Sequence, residues 1–187
     1  MQRQFVERAQ TGDHEAFSAL ATASFPRAYR VAKLILRDED RTQDAVQEAM
    51  VAAWRDIRAL REPDAWDAWL HRLVVRACYR SAGQTRRRSL VELHGTSGIE
   101  PRGSSDPIGH IADREQVEGA LGRLPIDQRV VMVLHFYLDL PLTEIAVALG
   151  IPVGTAKSRL NRGLTTLRRV MVRDRGDSLP APEGPAA

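Results

Sequence analysis

Leu142-Thr143-Glu144-Ile145-Ala146-Val147-Ala148-Leu149-Gly150-Ile151 is the stretch from which the rest of the chain can be read. Thr143 can cap a short helix whose buried face is Ile145, Ala146 and Leu149. Ala146 is small where a following helix has to cross closely. Gly150 stands where a tight inter-helix turn calls for a positive φ, which glycine adopts at little cost. Pro152 and Gly154 then restart the chain at the head of a second helix. Along it Val153, Ala156, Leu160, Leu164, Leu167 and Met171 fall on one side. Thr155, Ser158, Arg159, Arg162, Thr166, Arg169 and Arg173 fall on the other. A basic face opening directly after such a turn suits a helix laid in the DNA major groove. Residues of its first turns, Thr155, Lys157, Ser158, Arg159 and Arg162, are placed to reach base edges, and later arginines to grip phosphate. An ordinary helical hairpin with a solvated face is the plainer reading of the same pattern.

Outward from this segment the chain stays helical in character. Ala, Leu, Arg, Glu and Gln, which lose little side-chain freedom in a helix, are abundant, while aromatics are 5% of the 187 residues. Alternating β-branched runs are absent, so the expected fold class is all-α. Apolar residues at three- and four-residue steps predict helices over about 13–36, 40–60, 65–82, 108–122, 125–137, 143–149 and 153–173. Asp13 is placed to cap the first, and Pro26 inside it is expected to kink or divide it. Phe17, Leu20, Ala21, Phe25, Ala28, Val31, Ala32 and Ile35 form its apolar stripe. Between Gly83 and Pro107 the apolar period is lost and Gly, Ser, Thr, Arg and Pro are enriched, the pattern of a linker. Residues 174–187 hold three prolines and two glycines and read as a disordered tail.

The net charge of +3 says less than its distribution. Residues 38–67 carry nine acids against four arginines, residues 68–88 six arginines and no acid, and residues 154–175 seven basic residues against Asp174. One basic stretch in each half suggests two contacts with a polyanion. The acidic stretch contains one amphipathic segment, Asp44–Arg55. Val46, Ala49, Met50, Ala53, Trp54 and Ile57 make its apolar stripe, and Asp44, Gln47, Glu48, Val51 and Arg55 line the opposite side. Asp44 and Glu48 are like charges four residues apart. They suit either a helix dipole or a docking face for a basic partner.

Other chemistries find little support. There is no Gly-x4-Gly-Lys-Ser/Thr loop, and the histidines at 14, 71, 94, 110 and 135 have no metal-ligand spacing with one another or with Cys78. No Ser/His/Asp set can be nominated. No catalytic residue, metal or cofactor is therefore expected. Cys78, flanked by Val74, Val75, Ala77 and Tyr79, reads as a buried structural thiol, and His135 as a satisfied core or cap residue. A single cysteine suits a reducing compartment, and no apolar run approaches the roughly 20 residues that span a bilayer. The expectation is a cytoplasmic protein without membrane insertion.

A helix-turn-helix alone fits a repressor or a response regulator equally well. The N-terminal half separates them, because Asp44-Ala45-Val46-Gln47-Glu48 through Trp54 resembles the corresponding segment of extracytoplasmic-function sigma factors of the sigma-70 family. Trp66-Asp67-Ala68-Trp69-Leu70 with Arg72, Ala77, Cys78 and Arg86-Arg87-Arg88 resembles that family's next helix. Gly12-Asp13-His14-Glu15-Ala16-Phe17 and Gly154-Thr155-Ala156-Lys157-Ser158-Arg159-Leu160 are similar to it too, in the same order.

The resemblance implies a region 2-like helical domain over 1–85, a flexible linker over 86–107, a region 4-like helix-turn-helix domain over 108–173 and a tail over 174–187. It implies three partners: core RNA polymerase through its clamp and flap, promoter DNA, and an anti-sigma protein. Asp44, Gln47, Glu48, Val51 and Arg55 would then dock on the polymerase. Arg61, Glu62 and Asp64 of the following loop, with Trp69, Arg72, Arg76 and Arg80 of the next helix, would hold the −10 element as it opens. Thr155, Lys157, Ser158, Arg159 and Arg162 would read the −35 element. A DNA-binding regulator that never engages polymerase, and an interaction protein whose helices serve protein partners, are the alternatives.

Overall fold

The computed structural model describes residues 1–92 and 110–176, with side chains over 1–83 and 116–172. All regular structure among the described residues is helical. Eight α-helices follow in order: α1 Gln2–Gln10, α2 His14–Leu36, α3 Glu39–Asp56, α4 Trp66–Glu92, α5 His110–Gly122, α6 Ile126–Phe136, α7 Leu142–Leu149 and α8 Val153–Gly176. Two 3-10 turns, Ile57–Ala59 and Pro63–Ala65, connect α3 to α4.

The boundaries follow local chemistry. The Asp13 carboxylate accepts the Ala16 N–H at 3.0 Å, as the sequence suggests. Asp38 does the same for Arg41 N–H at 2.9 Å, so α3 opens at Glu39, next to the start expected at about 40. Gly150 has φ of +64° at the end of α7, and Ile151 N–H returns to the Ala146 carbonyl at 3.0 Å, closing the helix with an αL residue. Thr143 is not the cap: Pro141 holds that position and α7 begins at Leu142, leaving Thr143 in the first turn. A proline ahead of the first turn needs no capping hydroxyl to start the helix there.

Three further expectations are corrected. Pro26 does not divide α2, which continues from His14 to Leu36. Leu20 before the proline and Ala28, Val31 and Ala32 after it are buried, and this packing outweighs one lost backbone hydrogen bond. Phe25, assigned to the apolar stripe, is 47% exposed and stacks on Tyr29 instead. Helix α4 continues ten residues past 82, through Glu92, into the segment expected to be linker. An apolar period reports burial and not helicity, and Gln84 and the arginines at 86–88 are residues a helix tolerates. Residues 93–107 of that linker and 177–187 of the tail lie outside the described residues, and 174–176 complete α8.

The first four helices pack on one another around Val6, Leu20, Val31, Ile35, Val46, Ala49, Ile57, Trp66, Leu70 and Val74, all buried. The last four gather around Leu124, Val130, Val131, Leu134, Ile145, Ala156 and Leu160. The two groups touch, α2 lying against α5 and α6 and α4 against α7. Cys78 is fully buried and burial pushes its thiol up to about 12, consistent with a packing role.

His71 is the ionisable group most out of place in this core. It is 7% exposed, and burial, joined by the charge of Arg27 and opposed by Asp67, pushes its imidazole down to about 4. Since the unfolded chain takes up this proton near pH 6.5 and the folded chain does not, stability falls as pH drops from 6.5 towards 4. The loss due to His71 at pH 5 is about 2 kcal/mol. Urea titrations at pH 7.5 and pH 5 should show it, and His71→Gln should remove most of the difference. An unchanged pH dependence in that variant would count against a neutral buried imidazole.

Candidate nucleic-acid interface

The surface of α3 is built as the sequence foretells. Ala45, Val46, Ala49 and Ala53 turn inward, and Asp44, Gln47, Glu48, Val51 and Arg55 are all exposed. Val51, an aliphatic side chain 60% exposed amid charges, is the unusual member of this row. Arg55 is paired with its neighbour Asp56 at 2.8 Å. Glu48 is bonded across to Arg80 of α4 at 2.7 Å, so two residues assigned to different partners meet in the free protein.

The α3–α4 connection presents Arg61, Glu62 and Asp64 to solvent between two buried anchors, Leu60 and Trp66. Pro63 opens the second 3-10 turn, and Ala65 N–H closes it on the Glu62 carbonyl at 3.0 Å. On α4 the exposed Arg76 and Arg80 and the half-buried Trp69 and Arg72 follow directly. An aromatic face beside a row of guanidinium groups can stack bases and hold phosphates of a single strand. Of the three tryptophans, Trp66 is wholly buried. Trp54 is half-buried against His14 and Phe17, with ring centroids 4.5 and 4.9 Å away.

In the C-terminal half, α7 and α8 meet through Ile145, Ala146, Ala156 and Leu160. Lys157 and Arg162 are exposed, while Thr155, Ser158 and Arg159 are half-buried. The Ser158 hydroxyl donates to the Thr155 carbonyl at 3.0 Å, and Arg159 turns to Asp127 of α6 at 3.2 Å. Tyr79 of α4 has its hydroxyl buried beside this pair. Burial, joined by the charge of Asp127, pushes the Tyr79 phenol up to about 12. Val153 is 46% exposed and not on the packed side to which its spacing assigned it, because it is the first residue of α8 and overhangs the turn.

Sequence reasoning missed the residues that join the halves. The Arg129 guanidinium on α6 donates to Ile35 O at 2.6 Å and to Gly122 O and Leu124 O at 2.8 Å. Arg30 of α2 pairs with Glu118 of α5. His135, expected to be satisfied, donates from Nδ1 to the Leu140 carbonyl at 2.9 Å.

Comparison with known proteins matches two successive stretches of the chain. The sigma-70 region 2 family matches residues 20–88, and the sigma-70 region 4 family matches residues 114–167. The chain is 30% identical over 160 residues to the extracytoplasmic-function (ECF) sigma factor SigM of Mycobacterium tuberculosis, covering 86% of this chain and 79% of the relative. It is also 30% identical to the sigma-E factor of Escherichia coli K12, covering 84% of this chain and 87% of that one. Among solved structures, the Bartonella quintana sigma factor RpoE in complex with the anti-sigma factor NepR superposes with a TM-score of 0.65 at 23% identity, covering 85% of this chain and 98% of that one. CnrH in complex with the cytosolic domain of CnrY gives 0.65 at 24%, covering 92% and 98%. With both regions matched in order and helices accounting for each, the chain belongs to the ECF RNA polymerase sigma factors of the sigma-70 family.

Proposed function

We propose that the protein binds core RNA polymerase through α3 and carries it to promoters by reading two DNA elements, contributing no catalysis of its own. The observation that carries this reading is the α3 face. Asp44, Gln47, Glu48, Val51 and Arg55 stay uncovered although the helices on either side are packed, and a charged row around an exposed valine suits a basic, partly apolar surface on a partner. The division into a domain over 1–85 and another over 108–173 then assigns docking and −10 opening to the first. Arg61, Glu62 and Asp64 would surround a base drawn out of the stack, with Trp69, Arg72, Arg76 and Arg80 along the strand. Unstacking a base costs a few kcal/mol, which stacking and phosphate contacts can offset. The second domain reads the −35 element, with Lys157 and Arg162 as the most accessible contacts.

A run-off assay with purified core enzyme tests the whole reading. Transcripts starting at defined promoters only when this protein is added are expected. Absence of such transcripts on fragmented genomic template, together with no core binding, would end it. Asp44→Lys should weaken core affinity at least about tenfold, since like charges at an interface cost several kcal/mol. Asp44 is the cleaner site because reversing Glu48 also releases Arg80. A regulator that never engages polymerase predicts no change.

At the other end, Arg162→Ala should lower affinity for duplex DNA and reduce the slope of log K against log salt by about 1 if it grips a phosphate. An unaltered affinity and slope would remove Arg162 from the interface. The Bartonella quintana neighbour is a sigma factor bound to an anti-sigma factor, which supports an inhibitor as a third partner. Co-purification from the native host is its test. The cytoplasmic setting follows from the polymerase as partner, and among the described residues no helix is long and apolar enough to cross a membrane.

A further inference from the structure

Helix α1 lies outside the matched region 2, which begins at residue 20, yet Gln2, Arg3 and Gln10 all reach from it to the α3–α4 connection and the first turn of α4. Val6 and Ala9 are buried, fixing the helix against the bundle. From that base the Gln10 side-chain amide donates to Leu60 O at 2.6 Å and to Ile57 O at 3.2 Å. Both hydrogens of one amide are thus placed on the two carbonyls that bracket the first 3-10 turn of the α3–α4 connection. At the other end of α1, Arg3 pairs with Asp64 at 2.9 Å and Gln2 donates to Asp67 at 3.1 Å.

These contacts differ in weight. Arg3 and Asp64 are both more than half exposed, and such a pair contributes little to stability. Gln10 is half-buried and serves the Leu60 carbonyl beyond the turn while adding a second donor to Ile57 O, which already accepts the Leu60 N–H at 3.1 Å, the more consequential arrangement. Its donors act on the main chain, so what they set is the shape of the loop that displays Arg61, Glu62 and Asp64. A loop that selects one base needs its backbone preset, because a displacement of about 1 Å undoes hydrogen-bond selection.

We infer that Gln10 is a positioning residue for base selection at the −10 element, with Arg3 holding the Asp64 side chain as its secondary. This rests on the reading that the Arg61–Asp64 loop contacts the extruded base. Gln10 touches no DNA; it acts through Ile57 and Leu60.

The test uses reconstituted holoenzyme and a template library randomised across the −10 element, scoring the ratio of transcripts from preferred and disfavoured bases. Gln10→Glu keeps the shape and removes both donors, whereas Gln10→Lys restores a donor. Gln10→Glu should lower the selectivity ratio about tenfold, in the range one misread base commonly costs. Gln10→Lys should recover most of it, and core affinity should stay unchanged in both. A residue that only stabilises the fold would scale transcription from all templates alike, so an unchanged ratio in Gln10→Glu overturns the inference. Should Gln10→Glu fail to fold, Gln10→Ala and Arg3→Ala are scored in the same way, and unchanged ratios in both overturn it. Changing Arg61, Glu62 and Asp64 together separates the two claims. An altered ratio there with an unaltered one in the Gln10 variants removes the positioning role alone. No alteration in either removes the loop as the base reader.

Discussion

Trp66→Ala is expected to cost about 4 kcal/mol of folding stability, enough to unfold a marginal domain. Trp66 is the first residue of α4 and none of its surface reaches solvent. Its indole N–H donates to the Ser24 hydroxyl at 2.9 Å, and its ring stands edge-on to Phe17 with centroids 6.2 Å apart. Truncation therefore removes a large apolar volume, opens a cavity and strands a hydroxyl at once, and rigid helices on three sides cannot collapse into the space. Trp69, one turn on with its ring centroid 5.7 Å from that of Trp66, is half-buried. Trp69→Ala should cost about 2 kcal/mol, clearly less than Trp66→Ala, because part of the Trp69 surface already reaches solvent. Transcription should fall in both variants, but in Trp69→Ala it should fall further than its smaller shift in urea midpoint accounts for. Equal losses of stability would show that Trp69 is a core residue and has no separate role on DNA.

That contrast marks what can be read from sequence and what cannot. Three- and four-residue spacing reports which face of a helix is buried. It therefore places Ile145, Ala146, Ala156 and Leu160 inside, and leaves Asp44, Gln47, Glu48, Val51 and Arg55 outside. A glycine ahead of Ile151 announces a positive φ that few other residues adopt cheaply, so the turn of the helix-turn-helix was legible too. Charges carry no such label. Arg129 and Arg162 look alike in the chain, yet one reaches a carbonyl of a distant helix and the other stands in solvent. Arg159 has the spacing of a base reader and is turned to Asp127, an acid whose position in the first turn of α6 gives no hint of that pairing. Helix α1 escaped notice for a related reason. Only Phe5, Val6 and Ala9 are apolar there, and Gln2, Arg3 and Gln10 find partners 47 to 65 residues away, beyond any local pattern.

Arg129→Met is expected to lower stability by about 3 kcal/mol, although it exchanges a buried cation for an apolar side chain of similar length. The outcome depends on what the cation leaves behind. Arg129 binds the Ile35 carbonyl in the last turn of α2, where helix carbonyls lack internal partners, and the Gly122 and Leu124 carbonyls at and just beyond the end of α5. The negative ends of two helices converge on one planar group, a favourable setting for a guanidinium. Burial, with Arg37 nearby, pushes Arg129 down to about 10, so the cation persists at neutral pH while its desolvation is already a cost the fold bears. Methionine relieves that cost but orphans three part-buried acceptors, each worth roughly 1–3 kcal/mol. The orphaned carbonyls win. Arg129→Lys should recover only part of the loss, since a single ammonium lacks the fork that spans both helix ends. Because this group ties α2 to α6, hydrogen exchange should quicken in α5 and α6 and at the C-terminal turn of α2, and hardly at all in α1. Uniform exchange changes, or a stability within about 0.5 kcal/mol of wild type, would mean that the packing of α2 on α6 is held by its apolar contacts alone.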